Sequence, residues 1–172
     1  MKLEIKAISV DDLLTILNFA REQFINTYQH LNEPDNFKAY IDRAFTLHQF
    51  TREFNHPDST FYQALLDQNL VGYYKLNTKD AQTEPNHHNA AEIERIYVAP
   101  SHKGLGIGKA MIDHALNQAS TCEYLWLGVW EKNKSAIAFY QKMGFQAFGK
   151  HIFQVGNDPQ TDIMMKRIIF QP

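Results

Sequence analysis

Three glycines at alternate positions, Gly104, Gly106 and Gly108, mark the stretch of this chain that most clearly indicates a binding function. A segment typical of a strand precedes them, and a segment typical of an amphipathic helix follows at once. The first turn of a helix has N–H groups without partners and the positive end of the helix dipole, so it attracts phosphate. Lys103 and Lys109 add full positive charges on either side. The spacing therefore predicts a diphosphate-binding loop.

Two familiar phosphate loops do not fit this stretch. A P-loop requires Ser or Thr after its Gly-Lys pair, and Ala110 follows Gly108-Lys109 here. A dinucleotide fingerprint requires its third glycine at the position that Lys109 holds, and it follows the first strand of its domain rather than a late one. A glycine-rich turn that packs against its own sheet is the structural alternative.

The elements that hold this loop mix helices and strands along the whole chain, which indicates one α/β or α+β domain over residues 1–172. Strands are predicted at residues 2–8, 59–66, 69–77, 91–98, 123–130, 145–154 and 162–169. Helices are predicted after the Ser9 cap, from Pro34, at 46–54, at 104–119 and from the Asn133 cap to Gly144. A loop over residues 156–160 is predicted to join the last two strands.

Residues 103–108 and 133–145, separated by one apolar strand, together resemble the acyl-CoA half of the GNAT N-acetyltransferase superfamily. The family pattern is Q/R-x-x-G-x-G/A after the fourth strand and then N-x-x-A-x-x-x-Y-x-x-x-G-F. Lys103 stands where the family favours Gln or Arg, which keeps the charge but loses the bidentate geometry of Arg. The stretches GYYKLN, AQTE, EIERIYV, WLGVWE and DPQTD extend the resemblance to bacterial spermidine/spermine N-acetyltransferases of the PaiA type.

The resemblance implies a fold and a reaction. The implied fold is a mixed, mostly antiparallel sheet of about seven strands, flanked by helices and splayed between the fourth and fifth strands. The implied reaction moves an acetyl group from the co-substrate acetyl-CoA to a small-molecule primary amine, with a polyamine as the expected acceptor. No metal is expected to take part. We expect this chain to be an acyltransferase.

The same resemblance assigns roles to individual residues. Glu94 would remove the proton of the amine through water, with Glu92 as the other candidate base, and Tyr140 would donate to the CoA thiolate. Strand alternation predicts that Glu92, Glu94, Ile96 and Val98 share one face. The residues expected to hold acetyl-CoA are Ile96, Tyr97, Val98, Lys103, Gly104, Leu105, Gly106, Ile107, Gly108, Lys109 and Asn133. The expected walls of the acceptor pocket are Phe24, Tyr28 and Tyr74, with Glu92 beside them.

Composition limits the other functions of the chain. A hydrophobic content of 44% and a charged content of 21% are typical of a globular protein, and a single cysteine excludes a disulfide framework and a Cys-rich zinc site. A net charge of −2 argues against a general nucleic-acid binder. We expect neither a signal peptide nor a membrane span, and hence a cytoplasmic protein.

The net charge hides an asymmetry along the chain. Residues 1–100 carry 9 Lys and Arg against 14 Asp and Glu, whereas residues 101–172 carry 8 against 5. An acidic first half suits a cationic acceptor, and a basic second half suits the phosphates of CoA.

Several alternatives stay open at this point. The acceptor could instead be another small amine, an aminoglycoside or a peptide N-terminus, and a non-catalytic acyl-CoA sensor would share the same fold. The apolar residues Ile168, Ile169 and Phe170, together with the late strands, would allow a homodimer.

Overall fold

The computed structural model describes residues 2–85 and 87–169. Its α-helices are α1 (Leu13–Tyr28), α2 (Pro34–Ala44), α3 (Leu47–Phe54), α4 (Ile107–Gln118) and α5 (Lys134–Lys142). Its strands are β1 (Leu3–Ala7), β2 (Ser59–Leu66), β3 (Asn69–Thr78), β4 (Ala90–Val98), β5 (Tyr124–Trp130), β6 (Gln146–Val155) and β7 (Asp158–Ile168). The predicted order of elements is confirmed.

The seven strands form one sheet in the order β1-β2-β3-β4-β5-β7-β6. The β4–β5 pair is parallel and the other neighbouring strands are antiparallel. β4 and β5 pair only from Ala90–Tyr124 to Glu92–Trp126, although β4 continues to Val98 and β5 to Trp130. The strands therefore diverge after Glu92, which confirms the predicted fold class and its splay.

A β-bulge at Glu94 changes which residues of β4 share a face. Ile93 pairs with Leu76 and Arg95 pairs with Lys75, so Glu94 is the extra residue that has no partner opposite it in β3. One inserted residue reverses the alternation beyond it. Ile96 and Val98 consequently pack with the core under α4, whereas Glu94 reaches Lys75 on the other face. The prediction that Ile96 and Val98 share a face with Glu92 and Glu94 is wrong for this reason.

Two hydrophobic cores cover the two faces of the sheet. Under α4 and α5, the core contains Met111, Ile112 and Tyr140 together with inward residues of the central strands. Under α1, α2 and α3 the core is aromatic. Its aromatic members with the least exposure are Phe24, Phe37, Tyr40, Phe45, Phe50, Phe61 and Tyr73. The high aromatic content of the sequence is therefore concentrated on one face.

The last hairpin is tighter than the sequence predicts. β7 begins at Asp158, so the residues between it and β6 are Gly156 and Asn157 rather than the predicted loop over 156–160. Gly156 has a φ of +58°, which suits a two-residue hairpin turn. Pro159 fits inside β7 because β5 pairs with β7 only from Asp162 onward. The N–H that proline lacks therefore costs no hydrogen bond to β5.

The aromatic core generates a stability prediction at Phe50, which is fully buried in α3. Its ring lies 5.8 Å from the Phe61 ring and 6.0 Å from the Phe45 ring, measured between centroids. We expect Phe50→Ala to lower the free energy of unfolding by about 3–5 kcal/mol, because a cavity replaces these contacts. Urea denaturation measures the change. Leu47→Ala, at an exposed site on the same helix, should change it by less than about 0.5 kcal/mol, and equal losses for the two variants would contradict this account.

Candidate functional site

A cavity of about 590 Å³ opens where β4 and β5 diverge. Its walls come from β4, β5, the loop before α4, the first turn of α4, the first two turns of α5, and one side of α1. Most of the residues predicted to act or bind line it: Tyr28, Glu94, Ile96, Tyr97, Val98, Lys103, Gly104, Gly106, Ile107, Gly108, Lys109, Asn133 and Tyr140. The splay therefore brings residues from four separate segments around one space.

The loop before α4 has the geometry that a diphosphate needs. Gly104 and Gly106 have φ values of +83° and +81°, and a Cβ added to either would meet no heavy atom within 4 Å. This left-handed backbone favours glycine and leaves the main chain open to a ligand. Gly106 is the N-cap of α4, and the first residues of this helix, whose N–H groups have no partner within the helix, line the cavity.

Two residues of this loop differ from the simplest expectation. Leu105 is 55% exposed and does not line the cavity, so this placement does not support its predicted contact with the cofactor. Lys109 forms a 2.5 Å ion pair with Asp113 one turn along α4, in an exposed position where such pairs are weak. The charge of Lys109 is therefore partly neutralised, whereas Lys103 lines both this cavity and a neighbouring one.

The edge of β4 beyond Glu92 faces the gap, because β5 no longer pairs with it there. An unpaired strand edge presents N–H and C=O groups that can bind an extended ligand as an added strand. Ile96, Tyr97 and Val98 contribute this edge to the cavity. The amide-rich arm of CoA fits such an edge.

Tyr140 and Asn133 reach the cavity from α5. Tyr140 is buried, and this burial raises the pKa of its hydroxyl above the ordinary value. Asn133 caps α5 by accepting a 3.2 Å hydrogen bond from the N–H of Ala136. The cap uses the side-chain oxygen and leaves the amide N–H groups for other partners.

Glu94 enters the cavity from a buried cluster of charges. Its carboxylate accepts hydrogen bonds from Lys75 and, at 2.7 Å, from the amide of Asn77, and it lies 3.2 Å from Arg95. Glu53 of α3 completes the cluster by binding both Lys75 and Arg95. Glu94 is therefore paired with cations inside the protein, and its side chain is 18% exposed.

Sequence reasoning missed Glu53 and Lys75. Burial opposes the ionisation of Glu53, but Arg95 and Lys75 outweigh it and lower the pKa of Glu53 to about 2. A lysine between the apolar neighbours Tyr74 and Leu76 is a signal in the sequence, because a buried lysine needs a carboxylate partner. The identity of that partner depends on how α3 packs on the sheet.

These features agree with the comparisons to known proteins. A model of the acetyltransferase (GNAT) family matches residues 15–145. The chain belongs to the GNAT acetyltransferase family. An uncharacterised N-acetyltransferase from the pepI 3′ region of Lactobacillus delbrueckii subsp. lactis is 34% identical over 168 residues, covering 96% of this chain and 97% of the relative. The protein is therefore an N-acetyltransferase by family.

Two further matches to this GNAT acetyltransferase, one in sequence and one in structure, come from Thermoplasma acidophilum. The spermidine N(1)-acetyltransferase of that organism is 27% identical over 85% of this chain and 89% of its own. The crystal structure of its PaiA N-acetyltransferase in complex with coenzyme A superposes with a TM-score of 0.76 at 24% identity, covering 98% of this chain and 99% of that one. The structural match shows that the two share a fold.

Two residues expected to wall the acceptor pocket lie elsewhere in this GNAT acetyltransferase. Phe24 is buried in the aromatic core, with its ring 5.6 Å from Phe37. Tyr74 is buried on the opposite face, where its hydroxyl lies 2.6 Å from Nδ1 of His114. Neither side chain lines the cavity, so this placement does not support the prediction for them. Of the three predicted walls, Tyr28 lines the cavity, and burial raises the pKa of its hydroxyl.

A polar cluster beside β5 was not predicted. Nδ1 of His151 lies 2.7 Å from Glu84, and Nε2 lies 3.5 Å from Asp162. The nearby carboxylate of Asp162, followed by that of Glu84, raises the pKa of His151 against the opposing effect of burial. Gly128 makes room for the ring, since a Cβ there would lie 2.9 Å from Nε2. The cluster ties the loop before β4 to the last hairpin.

Within residues 2–85 and 87–169, no helix is long and apolar enough to cross a membrane. The same residues contain no group of three or more His, Cys, Asp and Glu side chains placed to hold a metal ion. The cytoplasmic location and the homodimer stay predictions. Ile168 ends β7 with 45% exposure, and Phe170 lies outside the described residues.

Glu92, the other candidate base, lies beside the cavity but does not line it. It is 2% exposed and accepts hydrogen bonds from the N–H of Thr83 at 2.7 Å and from its hydroxyl at 2.5 Å. Burial, reinforced by the charge of Glu94, raises the pKa of Glu92 from 4.5 to about 7. This carboxyl can therefore hold a proton near neutral pH.

The raised pKa of Glu92 predicts a pH dependence of stability. The folded protein holds the proton more tightly than the unfolded chain, so the free energy of unfolding should fall as pH rises from 4.5 to about 7. The loss attributable to this residue is roughly 3 kcal/mol. In Glu92→Gln, whose side chain can still bond Thr83, the loss should disappear when urea denaturation is compared at pH 5 and pH 8.

The exposed variant Glu22→Gln serves as the control and should follow the wild-type curve. Parallel pH curves for the wild type and Glu92→Gln would contradict the assignment.

Proposed function

We propose that this GNAT acetyltransferase transfers an acetyl group from acetyl-CoA to a primary amine of a polyamine of the spermidine or spermine class. The observation that carries the proposal is the placement of Glu94 from β4 and Tyr140 from α5 on the wall of one cavity at the β4–β5 splay. One group can accept a proton and the other can donate one, as direct transfer to an amine requires.

Acetyl-CoA fits the residues that surround the gap. The first turn of α4 and the loop at Gly104 and Gly106 would bind the diphosphate, with Lys103 adding charge. The open edge of β4 at Ile96 and Val98 would pair with the amides of the pantetheine arm, and the N–H groups of Asn133 would bind it from α5. The substrate would thus lie along the splay.

The chemistry removes two protons from the amine nitrogen and supplies one to the leaving sulfur. The amine enters as an ammonium, and Glu94 takes one proton from it through water. The nitrogen lone pair then attacks the carbonyl carbon of the acetyl group, the C–N bond forms, the C–S bond breaks, and the nitrogen loses its second proton to water. The leaving sulfur takes a proton or a hydrogen bond from Tyr140. Burial raises the pKa of Tyr140, so the hydroxyl stays protonated until the thiolate forms.

The preference for a polyamine has two supports. One relative at 27% identity is named a spermidine N(1)-acetyltransferase. The first hundred residues, which build α1–α3 and β1–β4, carry 14 acidic against 9 basic side chains. A net negative charge on this half would attract a polycation, and added salt would weaken that attraction.

A substrate panel tests the acceptor class. We expect the release of free thiol from acetyl-CoA to be at least about tenfold faster in kcat/KM with spermidine and spermine than with a neutral-tailed monoamine. The advantage should shrink as the salt concentration rises through the physiological range. Faster turnover of an aminoglycoside or a peptide N-terminus would overturn the polyamine assignment. Tight CoA binding without thiol release for any amine would overturn the enzymatic one.

A tyrosine variant tests the acid. Tyr140→Phe removes the hydroxyl and keeps the ring in the core, so kcat should fall by about 10²-fold while the KM for acetyl-CoA changes little. Tyr62→Phe is the matched control, because the Tyr62 hydroxyl bonds Gln118 on the α4 face and not the cavity. Steady-state kinetics decide, and unchanged kcat in Tyr140→Phe would remove this residue from the mechanism.

A further inference from the structure

We propose that Lys75 and Glu53 are positioning residues for Glu94, which they hold in place with one carboxylate oxygen turned towards the cavity. The inference deepens the proposed function, because it rests on Glu94 as the base. Neither residue lines the cavity, so each would act through Glu94 rather than on the substrate.

Lys75 is a charge in the interior of the protein. It is 4% exposed, in a strand whose neighbouring residues Tyr74 and Leu76 belong to the hydrophobic core. A buried ammonium is costly unless carboxylates surround it. Lys75 meets this need by bonding Glu94 and, at 2.9 Å, Glu53. The lysine thus cannot move without leaving both carboxylates short of a partner.

The two oxygens of Glu94 have different surroundings. Oε2 accepts hydrogen bonds from Lys75 and Asn77. Oε1 lies 3.2 Å from Arg95 as an ion pair, and no hydrogen bond to it is present among residues 2–85 and 87–169. The carboxylate is therefore anchored through Oε2, and Oε1 is the oxygen left to accept a proton from water or from an ammonium.

Glu53 governs how strongly the two cations act on Glu94. It binds Arg95 through both oxygens at 2.9 and 3.2 Å and Lys75 through one. Gln49, one turn earlier in α3, donates to it at 2.7 Å and fixes its position. By sharing both cations, Glu53 balances the cluster at two positive and two negative charges. The charge that surrounds Glu94 therefore depends on all of these side chains.

This arrangement predicts opposite effects from removing either partner. Lys75→Met removes a positive charge and a donor to Oε2, so Glu94 should bind a proton more readily. In the pH profile of kcat/KM, the acidic limb should then move to a pH about one unit higher. Glu53→Gln removes a negative charge, so both cations act fully on Glu94 and the limb should move down. Mere structural damage would not shift the limb in opposite directions.

Three variants serve as controls. Lys75→Arg keeps the charge and should keep the limb within a few tenths of a pH unit of the wild type. Lys38→Met removes an exposed lysine that pairs with Asp42 on α2, and it should change nothing. Glu94→Gln should abolish the limb. If Glu94→Gln retains the limb, the base assigned under the proposed function is wrong, whatever the other variants do.

Carbon-13 NMR of protein labelled at the glutamate carboxyls separates the two proposals, because it requires no turnover. Glu94→Gln identifies the Glu94 signal. That signal should titrate at higher pH in Lys75→Met and at lower pH in Glu53→Gln, even if no amine is acetylated. Identical titrations in the wild type, Lys75→Met and Glu53→Gln would overturn the positioning role. If Lys75→Met does not fold, the downward shift in Glu53→Gln decides alone.

Discussion

The divergence of β4 and β5 is the constraint on which the site depends. Parallel strands that pair along their whole length would bury their edges and leave no room between them. Here the pairing stops at Glu92 and Trp126, and both strands continue. The free edge of β4, the first turn of α4, the first two turns of α5 and one side of α1 then surround a single cavity. This GNAT acetyltransferase thus forms its candidate substrate site by leaving part of its own sheet unpaired.

The bulge at Glu94 adds the second condition. It inserts one residue where β4 begins to leave β5, so Glu94 and Arg95 both belong to the face that α3 covers, while Ile96 returns to the α4 face. The carboxylate thereby meets Lys75 and the ion pairs of Glu53. Buried charges of this kind are weak contributors to stability, and they are stable here because each has an opposite partner. Their arrangement serves the orientation of Glu94 better than it serves folding.

The accuracy of the sequence-based predictions follows the range of the interactions. The glycines before α4, the Asn133 cap and the hairpin strands were predictable, because each depends on neighbours within a few residues. The prediction that Glu92 and Ile96 lie on the same face of β4 was wrong, because a bulge depends on the register with β3. Phe24 and Tyr74 were misplaced because aromatic content does not say which layer a ring joins. Glu53 and Lys75 escaped notice because they lie 22 residues apart and meet only through packing.

The sequence by itself determined the glycine-rich loop before α4, the capped helix that carries Tyr140 and the family resemblance that linked them, because each of these signals depends on the spacing of residues close together in the chain. The tertiary structure alone decided where β4 and β5 part, which carboxylate reaches the cavity and which cations restrain it. Strand register and helix docking determine where the pairing ends and what surrounds Glu94, and both depend on the packing of residues that are distant in the chain.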